Sequence, residues 1–190
     1  MIKRLAERIV DWQTKKHFLS EGERGLYEYA YEVMVNQVLN ILIAVMIAIL
    51  FRAPMPVLVF LISYIPLRSY CGGHHASTNE GCMVVSAVLI CIICILYRAI
   101  PRNIDIIIQP MAYIISGLLI IRYAPVGDAN KPLVEKEVAR YRKIGRCVWF
   151  VESLIGMFLF FMQSRVGVVL ALSHIVFCVM FYWGILVNRN

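Results

Sequence analysis

The sequence predicts an all-α, polytopic helical membrane protein of about six transmembrane helices, preceded by an amphipathic helix at the membrane interface. Three observations predict it. Apolar residues make up 61% of the 190 positions and the mean hydropathy is +0.73, whereas apolar residues are roughly half of a water-soluble domain. Six uncharged, largely apolar stretches follow one another along the chain. The 19 Lys and Arg residues are distributed very unevenly among the segments that join them.

Taken in order, residues 1–20 come first. Ile2, Leu5, Ile9 and Trp12 recur at helical spacing while Lys3, Arg4, Arg8, Lys15 and Lys16 take the other positions, the pattern of a helix lying in the headgroup region. No short apolar core with a small-residue cleavage site follows it, so no cleaved leader is expected. The membrane core runs over residues 26–188, with apolar stretches at 33–51, 53–67, 81–97, 106–121, 153–164 and 166–188. A span takes roughly 20 residues, with about 17 near the lower limit, so the first and last qualify outright. The middle four are short. They cross only if interfacial residues are included or the bilayer thins, and the alternative is a re-entrant or interfacial element.

Charge sets the expected topology. If all six cross and the N-terminus is cytoplasmic, only Arg52, Arg98, Arg102 and Arg165 of the 19 basic residues fall outside. The other fifteen lie inside, a strong positive-inside bias. Both termini, segment 68–82 and a basic loop at 122–146 are then cytoplasmic. Topology therefore accounts for the net charge of +7, and nucleic acid is not an expected partner. No internal repeat or separate soluble domain interrupts residues 1–190, which read as one domain. Four of the six cysteines, Cys91, Cys94, Cys147 and Cys178, lie in or beside apolar runs and act as small apolar side chains rather than as a disulfide framework.

The chemistry concentrates in Arg68-Ser-Tyr-Cys-Gly-Gly-His-His-Ala-Ser-Thr-Asn-Glu-Gly-Cys82. A peptidase working through cysteine needs a thiolate, a base that makes it, and a geometry that keeps them together. Cys82 and a histidine offer that pair. Gly72 and Gly73 allow a sharp backbone turn, and Ser77-Thr-Asn-Glu80 has the form of a capping box that opens the next helix. Cys82 then falls in the first turns of that helix, where the helix N-terminus, a protonated histidine and Arg68 all favour the thiolate. His75 approaches from the loop rather than from the same helix face. The residue types alone fit equally well a buried Cys82 beside interfacial histidines.

Other uses of these atoms are weighed. Cys71, His74, His75 and Cys82 are zinc donors, but their spacing matches no common structural zinc pattern, so no metal or cofactor is expected. Cys91-Ile-Ile-Cys94 is a CxxC deep in an apolar run, without redox flanks. Lys131, Lys136, Arg140, Arg142, Lys143 and Arg146 set topology and meet anionic lipid, with attraction of an acidic substrate tail as a secondary role. Asn36, Gln37, Asn40 and His174 read as interhelical hydrogen-bonding groups. Glu152, within or at the edge of a span, needs a partner or water. Glu80 either caps the helix or orients His75. The Gly72 and Gly73 amides are available oxyanion donors, without an assignment.

The Arg68…Gly-Gly-His-His-Ala…Cys82 segment resembles the signature of the accessory gene regulator B (AgrB) family of quorum-sensing peptide-processing enzymes. Ala124-Pro-Val-Gly-Asp-Ala-Asn-Lys-Pro-Leu133 resembles the proline- and lysine-bearing loop that these proteins carry after the fourth hydrophobic segment. Length, basic amphipathic start and hydrophobic segmentation agree, so the likeness covers nearly the whole chain. The adjacent histidines could exchange roles, and the family spacing selects His75 as base to the Cys82 nucleophile. Arg68, Gly73, His74 and Glu80 then support the pair, and Lys131, Pro132, Arg140 and Lys143 become candidates for substrate contact.

The resemblance implies a membrane-embedded cysteine endopeptidase. It cleaves the C-terminal tail from a small AgrD-like autoinducer propeptide and cyclises the remainder through an acyl-enzyme thioester to a thiolactone. It also implies a homodimer and a place in a bacterial cell membrane. The rival readings are a small transporter, which depends on Asn36, Asn40 or His174, and a membrane thiol oxidoreductase, which depends on Cys91 and Cys94.

Overall fold

The computed structural model describes residues 2–16, 18–19, 21–73, 78–126 and 135–187. Among the described residues there are seven α-helices: α1 (Ile2–Lys15), α2 (Arg24–Leu50), α3 (Pro54–Cys71), α4 (Asn79–Ala99), α5 (Arg102–Tyr123), α6 (Glu135–Phe161) and α7 (Arg165–Val187). The last six are long and apolar enough to cross a membrane, by length and composition. The short middle stretches reach that length because each helix continues into its flanking polar residues. An unbroken helix satisfies every backbone group without water, which the bilayer interior requires.

Two boundaries differ from the sequence reading. α6 starts at Glu135, so the second half of the expected 122–146 loop is helical. The run of Glu, Lys, Ala and Arg there has high helix propensity, and two of its arginines have acceptors at the neighbouring helix end. Arg142 Nε donates to the Ala124 carbonyl at 3.3 Å and Arg146 Nη2 to that of Ile121 at 2.9 Å. Exposed carbonyls at a helix C-terminus are natural acceptors for such side chains. The second difference is the start of α4, where Thr78 is the N-cap and its Oγ1 accepts from the Gly81 N–H at 3.1 Å. The capping box expected to open on Ser77 is therefore displaced by one residue. Glu80 lies in the first turn but one position too early to reach back reciprocally.

α1 lies along α2. Ala6 and Val10 are buried, and Gln13 Nε2 donates to the Tyr31 hydroxyl at 2.6 Å. Arg24 holds Asp11 of α1 as well as Glu28, the latter at 2.8 Å. Leu5, Trp12 and Phe18 remain exposed, as an interfacial helix requires.

α7 is the centre of the bundle, with 67% of its span buried inside the protein, and it packs against α3, α4, α5 and α6. One core cluster joins α2, α3, α4 and α7 through Ile47, Phe60, Ile93 and Val169; a second joins α3, α5 and α7 through Leu67, Ile120, Phe177 and Phe181. Polar contacts define the two ends. At one, Arg165 reaches the carbonyls of Tyr97 and Ile100 and the Asp105 carboxylate, and Arg98 reaches the Phe51 carbonyl. At the other, Gly72 bridges Val126, and α6 meets the end of α5. Cys82 sits at the first turn of α4, far from Arg98 at the last turn.

Candidate functional site

Cys82 is placed by the cap of α4: its N–H donates to the Thr78 carbonyl at 3.0 Å, which makes the cysteine part of the first complete turn. The thiol is free and half-buried. It lines a cavity of about 250 Å³ between α2, α3 and α4 that Met180 of α7 closes from behind. Arg68 and Tyr64, one turn apart on α3, share this cavity, as do Ser69 and Ser86, the latter one turn beyond Cys82. The floor is apolar, with Phe60, Leu89 and Ile90. The lining thus combines polar and apolar side chains, with a thiol and a guanidinium among them.

The approach to the site is a glycine turn. Gly72 has φ 85° and Gly73 φ 135°, backbone that glycine adopts without strain. Space demands glycine as well. A Cβ at Gly72 would strike the Val126 carbonyl, and one at Gly73 would strike Arg68 Nη1. Arg68 and Gly73 are thus in direct contact, the guanidinium lying against the bare backbone. Val126 N–H donates to the Cys71 carbonyl at 2.9 Å, tying this turn to the end of α5.

The predicted site residues divide. Arg68, Gly73 and Cys82 come together. His74 and His75 lie outside the described residues, as do Lys131 and Pro132. Glu80 is exposed at the start of α4, and Arg140 and Lys143 are exposed on α6; none of the three lines the cavity. Cys71 is fully buried against Gly145 rather than beside Cys82 in the cavity.

Sequence reasoning missed the α2 wall. Asn36, Gln37 and Asn40 line the same cavity as Cys82, where interhelical bonding was expected. Their spacing of one helical turn, matched by Tyr64–Arg68 on α3 and Cys82–Ser86 on α4, was the available signal.

A second polar cluster lies at mid-bundle. Glu152 Oε2 accepts from Ser63 Oγ at 2.7 Å and stands 3.1 Å from His174 Nε2; His174 Nδ1 is 2.8 Å from Ser116 Oγ. Tyr113 meets the imidazole edge-on, with ring centroids 5.0 Å apart. These partners satisfy the carboxylate that the sequence left without one, and they join α3, α5, α6 and α7.

The family model for Accessory gene regulator B matches residues 2–187. A Clostridium perfringens protein named "Putative AgrB-like protein" is 24% identical over 149 residues, covering 75% of this chain and 70% of that protein. Proteins of the same name from Listeria innocua and Lactiplantibacillus plantarum are 25% and 22% identical, covering 70% and 91% of this chain and 65% and 85% of theirs. No solved structure matches the chain. A match running from the interfacial helix through the Cys82 segment to the end of α7 leaves one conclusion: this chain belongs to the accessory gene regulator B family.

Proposed function

We propose that this chain is a membrane cysteine endopeptidase that trims a small propeptide and cyclises what remains. The observation that carries the reading is that Cys82 and Arg68 line one half-enclosed cavity, with Cys82 in the helix that follows the glycine turn, His74 and His75 along the chain. In this reading His75 takes the thiol proton and the Cys82 Sγ attacks the carbonyl at the cleavage site. The C–N bond breaks, His75 returns the proton to the leaving amine, and the tail departs. The remainder is held as a thioester on Cys82. A cysteine thiolate within the propeptide then attacks that carbonyl, forming a ring thioester and releasing Cys82.

The exchange trades one thioester for another, so it is nearly balanced in energy, whereas water would end the sequence irreversibly. A site that keeps water away and holds the second thiol close favours the ring. The apolar floor of the cavity suits that task. Membership of the family and the positive-inside bias support a site open to the cytoplasm, where a newly made propeptide arrives.

The test is co-expression with a small AgrD-like propeptide. Cys82→Ala and His75→Ala each abolish cleavage while membrane levels stay at the parental value, and His74→Ala retains it. Processing by the Cys82→Ala protein sinks the proposal. An acyl adduct trapped on Cys82 and seen by mass spectrometry identifies the intermediate directly.

A further inference from the structure

Asn36 and Asn40 stand one turn apart on α2 and line the same cavity as Cys82. Asn40 Nδ2 donates to the Asn36 backbone carbonyl at 3.0 Å. That bond sets the orientation of the amide, because its donor end is held by its own helix and the acceptor end is turned away. Both Oδ1 atoms are buried, and neither has a hydrogen-bond partner among the described residues. Amide oxygens in this state inside a membrane span are costly, and they become favourable when a donor arrives.

Geometry says what kind of donor. Four residues along a helix advance by about 6 Å. An extended peptide presents N–H groups on one side every second residue, roughly 6.6–6.8 Å apart. The two repeats agree to within the freedom of an asparagine side chain. A cavity of about 250 Å³ has the volume of roughly eight waters, which suits a short length of chain rather than a folded partner.

We propose that Asn36 and Asn40 form a backbone-binding pair: two N–H groups, two residues apart in an extended stretch of the substrate peptide, donate to their Oδ1 atoms and hold the scissile bond against Cys82. The inference rests on the peptidase reading of this cavity. It specifies the substrate class by main chain rather than by side chain. An extended segment is required, and proline is excluded at both contacted positions because it has no N–H.

The experiment measures binding of the synthetic propeptide to full-length protein in nanodiscs, in the Cys82→Ala background so that no turnover intervenes. The probes are the same peptide N-methylated at one backbone amide at a time. Two positions, two residues apart, each lose affinity about tenfold, the scale of one buried hydrogen bond. In Asn36→Leu protein the loss at one of them falls below about twofold, and in Asn40→Leu protein the loss at the other does so. Size-exclusion profiles check that both leucine variants fold. If a variant does not fold, the N-methyl scan on protein with both asparagines still decides, since the absence of a sensitive pair at that spacing overturns the inference. Losses unchanged in both leucine variants overturn it too. Cleavage by Cys82→Ala protein refutes the peptidase reading instead, while a scan without the pair refutes only the role of Asn36 and Asn40.

Discussion

Glu152 and His174 meet at the centre of the helix bundle, with the carboxylate Oε2 3.1 Å from the ring Nε2 and the imidazole fully buried. Ser63 Oγ donates to that same Oε2 at 2.7 Å, and Ser116 Oγ lies 2.8 Å from Nδ1, the other ring nitrogen. Removing one partner strands the other in a medium without water. Glu152→Leu or His174→Phe alone therefore lowers stability by about 3–5 kcal/mol. The double variant recovers much of that loss, because replacing both members of a buried pair by apolar groups is often close to neutral. Thermal unfolding of detergent-solubilised protein reads both; a single variant that melts with the parent shows that the pair does not hold the bundle.

Gly73 and Arg68 make a second coupled pair. Gly73→Ala carries a backbone penalty on the order of 1–3 kcal/mol at φ 135°, and its methyl occupies the position of Arg68 Nη1. The guanidinium must then move from its place in the cavity lining that it shares with Cys82. Cleavage of the propeptide falls at least about tenfold while the amount of protein in the membrane stays near the parental level. Immunoblotting of membranes beside a cleavage assay separates the two, and full activity in Gly73→Ala shows that Arg68 has no role at the site.

Arg165 ties the opposite end together. It donates to Asp105 Oδ2 at 3.2 Å, to the Ile100 carbonyl at 3.0 Å and to the Tyr97 carbonyl, and its guanidinium lies 5.3 Å from the Tyr97 ring centroid. A planar fork reaches several acceptors at once, and an ammonium does not. Arg165→Lys therefore destabilises although it keeps the charge, and Arg165→Ala does so further, by about 1.5–3 kcal/mol, because Asp105 is left buried without its cation. Thermal unfolding ranks the three proteins. Since Cys82 is at the other end of α4, cleavage measured well below the melting temperature is unchanged.

Much of the fold was legible in the residues. Hydropathy marked six apolar stretches, because a helix in lipid satisfies its own backbone and needs only apolar side chains around it, though only the first and last reached spanning length unaided. The glycine pair before His74 and the helix opening before Cys82 were legible through local backbone rules. Local rules are weakest at element boundaries. The cap fell on Thr78 instead of Ser77, and the stretch from Glu135 became helix because arginines 142 and 146 found acceptors on α5. The partner of Glu152 could not be read either, since Ser63 and His174 are 89 and 22 positions away in sequence.

The sequence by itself determined the class, the number of apolar helices, the interfacial start and the Cys82 segment, all of which depend on composition and near-neighbour spacing. Only the tertiary structure decided which polar groups share a space. α2 is apolar around most of its circumference, so its pattern marks no inward face, and its rotation follows from packing against α1, α4 and α3. That rotation turns Asn36 and Asn40 toward Cys82. The same physics buries His174 beside Glu152: contacts between helices far apart in the chain select one rotation of each, and side-chain periodicity within a uniformly apolar helix does not.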